Sequence, residues 1–177
     1  GISFHLSHGE RVGLIGPNGA GKTTLLLALA GLLDPFAGTI MVAGCNLATT
    51  AGRRQVHQKL GFVFQNPDDQ LFSPTVFDDV AFGPLNLGLP EDEVRRRVDQ
   101  ALHRVGLPPD CRDRVPFHLS SGEKRRVAIA GVLAMQPEVV LMDEPTSDLD
   151  PRGRRELRQI LDALPITRII SSHNLEF

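Results

Sequence analysis

Several residue types and patterns are scarce in this 177-residue sequence. It has no tryptophan and no tyrosine, and its only two cysteines are Cys45 and Cys111. The cysteines are far apart and lack the close spacing of a zinc site, so we interpret them as reduced thiols, which suits a cytosolic protein. No apolar run approaches the about 20 residues of a membrane-spanning helix, so we expect any membrane role to depend on a partner.

An excess of charge of one sign is also missing. The sequence has 19 Lys and Arg residues against 21 Asp and Glu residues, a formal net charge of −2. This balance lacks the basic surface that nucleic-acid binding requires, so we expect no nucleic-acid partner. There is no internal repeat or low-complexity tract, and the length is sufficient for one domain with a real core.

The sequence does contain the phosphate-binding pattern G-x-x-x-x-G-K-[ST] over residues 16–23. Its flanks predict a buried strand over residues 11–15 and a helix over residues 24–33. Glycines allow the positive φ values that turn backbone N–H groups towards an anion, and the helix dipole favours the same charge. Lys22 can reach terminal phosphates and the Thr23 hydroxyl can ligate Mg²⁺. The predicted contacts are Gly16, Pro17, Asn18, Gly19, Ala20, Gly21, Lys22, Thr23 and Thr24. The alternative is an ordinary glycine-rich turn.

Strand and helix patterns alternate along the chain, which predicts an α/β fold with a parallel sheet covered by helices. Strands are predicted over residues 2–6, 11–15, 39–43, 60–64, 139–142 and 168–172. Helices are predicted over residues 24–33 and 91–105, after the loop of residues 119–123 and through Leu133, and, as a short helix, near residues 76–81. In the second of these, Val94, Val98, Ala101, Leu102 and Val105 share one apolar face. We expect the opposite face, with Arg95, Arg96 and Arg97, to be solvated.

A pair of acids, Asp143 and Glu144, follows the apolar run of residues 139–142. Such a run is typical of a buried parallel strand, and ligands bind at the carboxyl ends of these strands. We expect Asp143 to hold Mg²⁺ and Glu144 to orient or deprotonate an attacking water. The alternative is that this pair caps a helix.

Three further segments are candidates for the same site. Gln65 follows a predicted strand and can offer an amide oxygen, although a lone glutamine is usually structural. Residues 119–123 form a small-residue loop that opens a helix, so Ser120 is either part of a second anion site or a plain N-cap. His173 follows the last predicted strand and can bond a phosphate or support Glu144.

These motifs, in this order, resemble the nucleotide-binding subunit of an ABC transporter: Walker A, the Q-loop glutamine, the signature, Walker B, the D-loop over residues 147–150 and the H-loop histidine. The resemblance implies a P-loop NTPase with a RecA-like core, an antiparallel β subdomain and an α-helical signature subdomain. It implies a single ABC ATPase domain over residues 1–177, incomplete at both ends. The core would comprise residues 1–68 and 136–177, and the helical subdomain residues 69–135.

The resemblance also implies ATP hydrolysis with ATP and Mg²⁺ in a head-to-tail dimer of two copies or of two paralogues. Glu144 would be the general base and His173 the γ-phosphate contact, with Thr23, Gln65 and Asp143 around the metal. Asp150 would bridge the dimer. The partner's nucleotide would contact the signature residues, which are Ser120, Ser121, Gly122 and Glu123. Here Ser121 replaces a family glycine and Glu123 the usual glutamine. The family's adenine-stacking aromatic has no clear equivalent, and Phe4 is the one candidate.

The sequence over residues 64–72, 79–84 and 121–130 resembles that of the ATPases of energy-coupling-factor importers, and the sequence over residues 150–155 resembles that of their cobalt/nickel branch. This likeness implies a peripheral subunit at the cytoplasmic face of a bacterial or archaeal membrane, bound to an integral membrane subunit. We expect a docking groove formed by Asp68, Asp69, Leu71 and Phe72. Alternatives are a vitamin importer, a soluble ABC ATPase of DNA repair or translation, and a regulatory module that binds nucleotide without hydrolysis.

Overall fold

A computed structural model describes residues 1–34 and 37–173 of the chain. Its strands are β1 (Arg11–Ile15), β2 (Met41–Val42), β3 (Cys45–Asn46), β4 (Leu60–Val63), β5 (Val139–Met142) and β6 (Thr167–Ser172). Its α-helices are α1 (Lys22–Leu29), α2 (Thr50–Lys59), α3 (Val76–Asn86), α4 (Glu91–Arg104), α5 (Ser121–Ala134) and α6 (Pro151–Asp162). Among the described residues, no helix has the length and apolar character to cross a membrane.

The main sheet has four parallel strands in the order β1-β6-β5-β4, as the alternating pattern predicts. Its register pairs Ile15 with Ser172, Met142 with Ile170 and Val63 with Met142. Because all four strands run the same way, the segments that follow them meet at one edge of the sheet. The phosphate loop, Gln65, the acid pair and His173 all belong to such segments.

The helix after the phosphate loop begins two residues earlier and ends four residues earlier than predicted. Gly21, with φ of 87°, lies before its first residue, and Gly31, with φ of 73°, lies after its last turn. The left-handed conformation at Gly31 ends a helix in the usual way for a glycine at that position. Leucines continue past this point, so hydrophobic periodicity alone extends the helix too far.

The predicted strand over residues 39–43 is reduced to Met41–Val42, which pairs antiparallel with Cys45–Asn46. The two connecting residues, Ala43 and Gly44, have φ values of 47° and 76°. Two successive positive φ values are the mark of a type I′ turn, which reverses the chain after Val42. A second correction concerns residues 2–6, which form no strand. No described strand pairs with them, and alternation without a hydrogen-bonded neighbour does not make a strand.

The apolar residues form two clusters. One lies between α3, α4, α5, α6 and the sheet and contains the predicted face of α4, whose five residues are at most 2% exposed. On the opposite face, Arg95 and Arg96 are exposed and pair with Glu91 and Glu93. The other cluster packs α1 and α2 against the other side of the sheet, with Leu26, Val56 and Leu141 at its centre. The sheet is therefore covered on both faces.

Candidate active site

The loop between β1 and α1 has the conformation that its glycines require. Gly19 and Gly21 have φ values of 81° and 87°, in the left-handed region. A Cβ at either position would meet nothing within 4 Å, so the backbone angle and not a lack of space demands glycine. Gly21 precedes α1 without a side-chain cap, so the first N–H groups of this helix can donate to a phosphate.

Lys22 is held at the base of this loop and is 8% exposed. Its Nζ donates to the carbonyl oxygens of Gly16 at 2.8 Å and Pro17 at 3.2 Å. The same ammonium lies 3.2 Å from Oε1 of Glu144. A buried lysine and a buried carboxylate therefore face each other across the loop, with the charge of each compensated by the other.

Asp143 and Glu144 follow β5 with different partners. The Thr23 hydroxyl donates to Oδ2 of Asp143 at 2.6 Å, which joins the phosphate loop to the end of β5. Glu144 has a φ of 47°, a strained conformation for a residue with a Cβ. The helix that follows begins at Pro151 and is capped by Asp150, so the acid pair does not cap a helix.

Glu144 is 6% exposed, and both of its carboxylate oxygens have protein partners. Nδ1 of His173 forms a short hydrogen bond with Oε2, while Lys22 faces Oε1. Burial alone would raise the pKa of Glu144, but the bonds from His173 and Lys22 outweigh it and lower the pKa below its ordinary value. The carboxylate is therefore ionised at neutral pH, as a group that orients a water must be.

Ser171 belongs to this cluster although its sequence context does not single it out. Its hydroxyl donates to Oδ1 of Asp143 at 2.5 Å and accepts from the backbone N–H of Glu144 at 2.9 Å. Ser171 is fully buried in β6, the strand beside β5. The one sequence feature that could have identified Ser171 is its position as a polar residue at the carboxyl end of an apolar strand.

An open cleft of about 700 Å³ lies above these residues, within the size range of small-molecule sites. Its described lining is Asn18, Gly19, Ala20, Gly21, Lys22, Thr23, Thr24, Gln65, Glu144, Thr146, Ser147, Asp148, Arg154 and His173. Ser147 and Asp148 belong to the predicted D-loop, whereas no sequence pattern singles out Thr146 and Arg154 as site residues. No phenylalanine occurs in this described lining, and Phe4 is 48% exposed and outside it.

The signature residues do not line this cleft. Ser120 caps α5: its hydroxyl accepts from the N–H of Glu123, and the Glu123 carboxylate accepts from the N–H of Ser120 at 2.9 Å. The Ser120 hydroxyl also donates to Oε2 of Glu123 at 2.7 Å. This bond and the bond from the Ser120 N–H lower the pKa of Glu123 to about 2, with Arg114 adding to the effect. Ser121 lines a second cleft of about 460 Å³ that also contains Asp143 and Gln65. Ser120 thus caps α5 within its own chain, and Ser121 shares the second cleft with Thr23 of the phosphate loop.

Two other predicted site residues also have local partners. Oδ1 of Asp150 accepts from the N–H of Gly153 at 2.7 Å and so caps α6. Asp68 pairs with Lys124 at 2.7 Å and lines the second cleft. The structure does not bring Asp68 into the groove that Asp69, Leu71 and Phe72 share.

That groove, of about 260 Å³, lies between α3, α5 and the segment after β4. Phe72 and Phe82 are 67% and 49% exposed and form an edge-to-face pair with ring centroids 5.0 Å apart. Asp79 lies in the same groove and is 9% exposed. Its Oδ1 accepts from the N–H groups of Phe72 and Ser73, whereas its Oδ2 has no partner among the described residues.

The model of the ABC transporter family matches residues 1–147 of this chain. The energy-coupling factor transporter ATP-binding protein EcfA of Methanothermobacter thermautotrophicus is 54% identical over 180 residues, which cover 99% of this chain and 58% of that protein. EcfA of Methanocaldococcus jannaschii is 50% identical, over 99% of this chain and 64% of that protein. The chain thus spans less than two thirds of the length of these relatives.

Among solved structures, CbiO1 from Clostridium perfringens, part of the ABC transporter complex CbiONQ, matches with a TM-score of 0.88 at 44% identity. The match covers 98% of this chain and 71% of that one. A dimeric ATP-binding cassette in a post-hydrolysis state, bound to ADP and Pi, matches with a TM-score of 0.85 at 28% identity. It covers 98% of this chain and 78% of that chain. These neighbours confirm the predicted fold class, and the chain belongs to the ABC transporter family, with the fold of its ATP-binding cassettes.

Proposed function

We propose that this chain binds and hydrolyses ATP as the ATPase subunit of an energy-coupling-factor importer. The observation that carries the proposal is the meeting of Lys22, Glu144 and His173 at one cleft. The bond between Thr23 and Asp143 joins the phosphate loop to the same site. Relatives named as energy-coupling factor ATP-binding proteins support this assignment.

The residues have separate roles in the proposed reaction. The N–H groups of the loop and the Lys22 ammonium bind the β- and γ-phosphates. When Lys22 turns to the phosphates, Oε1 of Glu144 loses a partner and becomes available to accept a hydrogen bond from water. Glu144 then orients this water for in-line attack, and His173 holds Glu144 or contacts the γ-phosphate.

The residues present fit Mg²⁺ as the metal. Thr23 and Asp143 offer oxygen ligands, and Gln65 lines both clefts beside them. Within the described residues, no group of three or more His, Cys, Asp or Glu side chains could hold a metal. Mg²⁺ suits such a site because it is bound through one or two protein oxygens together with substrate phosphates and water. The ion would neutralise phosphate charge during transfer.

We infer that the active unit contains two such subunits in head-to-tail contact. Ser120, Ser121, Gly122 and Glu123 lie outside the cleft of their own chain, which supports a role at the nucleotide of a second copy or a paralogue. The helix that follows Ser120 has 14 residues, and its N-terminus favours an anion. Asp150 would contact the second subunit from its position at the start of α6. A dimeric structural neighbour also supports this arrangement.

We propose that the groove of Asp69, Leu71 and Phe72 binds an integral membrane subunit and holds the chain at the cytoplasmic face of the membrane. Two exposed aromatic rings offer apolar contact, and the unpaired Oδ2 of Asp79 favours a basic group on the partner. Phe72→Ser should abolish copurification with the membrane subunit. Met41→Ser removes a comparably exposed apolar residue from the hairpin and should leave copurification intact. Equal recovery with both variants would contradict this docking site.

Cobalt or nickel is the proposed solute, and a vitamin is the alternative. The resemblance over residues 150–155 and the CbiONQ neighbour favour the metal ions. Uptake of radiolabelled Co²⁺ or Ni²⁺ by the complete transporter, compared with vitamin uptake, distinguishes the two. We also propose the division into a core over residues 1–68 and 136–177 and a helical subdomain over residues 69–135. Residues 35–36 and 174–177 lie outside the described part of the chain.

The proposed hydrolysis is tested with the full-length protein and a pair of isosteric variants. Glu144→Gln should lower kcat by at least about 100-fold, because it removes a general base, while ATP still binds. Glu138→Gln alters a carboxylate that lies just before the same strand and is 51% exposed, and it should keep parental turnover. Phosphate release in the Glu144→Gln variant at the parental rate would refute the base assignment. Absence of hydrolysis in the parent, in the presence of its partners, would favour the regulatory module.

A further inference from the structure

Arg125 is a buried cation at the junction of three functional segments. It lies one turn into α5, and its side chain is 3% exposed. One terminal nitrogen, Nη1, donates to the carbonyl oxygens of Phe64 and Gln65, which follow β4. The other, Nη2, donates to the carbonyl and hydroxyl oxygens of Ser147, each at 3.3 Å.

These bonds lead to both sides of the proposed active site. Gln65 lines the nucleotide cleft from one side. Ser147 is joined to Glu144, because its N–H donates to the Glu144 carbonyl oxygen at 3.0 Å. The guanidinium thus connects α5, which begins with the signature, to the segment after β4 and to the segment that carries the acid pair.

The position of Arg125 is costly for a purely structural cation. Its partners are neutral oxygens, and its Nε has no hydrogen-bond partner among the described residues. Burial lowers the pKa of the guanidinium, against the opposing charge of Asp148. An apolar side chain at this position would avoid the cost of desolvating a charge. What the arginine provides in return is a planar guanidinium group that donates hydrogen bonds to two separate loops.

Two other side chains link some of these segments, but not all three. Gln70 bonds the Phe64 N–H and the Ala128 carbonyl, and Lys124 pairs with Asp68, so both connect the segment after β4 to α5. In the described part of the chain, neither reaches Ser147. The second cleft, of about 460 Å³, separates the same three segments and leaves room for them to shift.

We propose that Arg125 is a positioning residue that fastens the Gln65 and Ser147 segments to the signature helix. A displacement of α5 then moves both flanks of the nucleotide cleft together. The docking groove is lined partly by α5, so the same link carries movement at that groove to Glu144. This inference rests on the proposed function for its consequence, whereas the link itself can be tested without hydrolysis.

Hydrogen exchange of the full-length protein tests the link. Arg125→Met keeps an unbranched apolar stem but lacks the guanidinium and its donors, so amides over residues 144–149 should exchange at least tenfold faster. Residues 64–70, which keep the Gln70 and Lys124 ties, should change less. Arg125→Lys, with one compact donor group, should give an intermediate rate at residues 144–149.

The matched control is Arg168, which is also 3% exposed and bonds the Leu164 carbonyl and Asp162 at the opposite end of β6. Arg168→Met should leave exchange over residues 144–149 at the parental rate. If Arg125→Met does not fold, Arg125→Lys is compared with Arg168→Lys. Parental exchange over residues 144–149, or an increase spread evenly over α5 and β5, would overturn the proposal.

Kinetics provide a second readout. Arg125→Met should lower kcat at least tenfold while its dissociation constant for ATP stays within twofold of the parent. A positioning role predicts this separation, whereas simple destabilisation lowers binding and turnover together. Arg168→Met, the control, should keep both near the parental values. Parental kcat in Arg125→Met would overturn the role in positioning. If the parent itself does not hydrolyse ATP, the proposed function fails, and the exchange experiment still decides the link.

Discussion

Replacement of Ser171 by alanine is the most informative single change at the edge of the sheet. The hydroxyl is fully buried and makes two hydrogen bonds, one to the Asp143 carboxylate at 2.5 Å and one from the Glu144 N–H at 2.9 Å. A hydrogen bond to a charged group contributes about 1.5–3 kcal/mol, and an orphaned buried N–H costs about 1–3 kcal/mol. Since the two terms share one hydroxyl and do not add fully, we expect a loss of about 2–4 kcal/mol in the free energy of unfolding.

Urea unfolding of the full-length protein at pH 7 measures this loss. Thr167→Val is the matched control, because Thr167 is a buried hydroxyl in the same strand that accepts one bond, from the Gly9 N–H at 2.8 Å. We expect this control to cost about 1 kcal/mol. The Ser171→Ala variant should also turn over ATP more slowly, since both acids lose a constraint. A loss in Ser171→Ala no larger than in Thr167→Val, with parental turnover, would refute the role of Ser171.

Three further predictions concern stability. In Gly61→Ala the new Cβ would lie 2.1 Å from Cγ1 of Val132, which should lower the free energy of unfolding by about 1–3 kcal/mol. A second substitution, Val132→Ala, removes the clashing methyl group and should recover part of that loss. A double-mutant cycle by urea unfolding checks this; no coupling would contradict it. Ala43 has a φ of 47° at the first position of a type I′ turn, so Ala43→Asn should raise the melting temperature, and a lower value would exclude that turn. Glu123→Ala should cost about 1 kcal/mol at pH 7 through loss of the capping box. Because the folded-state pKa of Glu123 is lowered from 4.5 to about 2, its ionisation stabilises the fold above pH 4.5, and this difference from the parent should disappear as the pH falls towards 2. A difference independent of pH, in urea titrations from pH 7 downwards, would contradict the ionic contribution.

The sequence predicts the phosphate loop and the acid pair well because both depend on short local patterns. Glycines at required φ values, a lysine and threonine in register, and an apolar run ending in acids are all visible within a few residues. The parallel sheet then follows from alternation of strands and helices. Its edge brings Lys22, Glu144 and His173 together, although Lys22 lies more than 100 residues before the other two in sequence.

Features that depend on contacts between distant segments could not be predicted. Ser171 matters because the register of β6 on β5 places it beside Asp143, and no local pattern specifies that register. Arg125 is in a run of basic residues typical of an exposed face, yet α5 turns it into the interior. The prediction of a strand over residues 2–6 is wrong for a related reason, because a strand needs a hydrogen-bonded neighbouring strand that the local sequence does not specify.

We propose that two cassettes join around ATP, with the signature of each at the cleft of the other. Sedimentation velocity of the full-length Glu144→Gln protein in saturating Mg-ATP tests it, alone and mixed with the other ATPase of its transporter. We expect conversion from monomer to a dimer that retains ATP, while Lys22→Ala, which lacks the phosphate-binding ammonium, stays monomeric. A Glu144→Gln protein that binds ATP and yet remains a monomer in every mixture would contradict the claim.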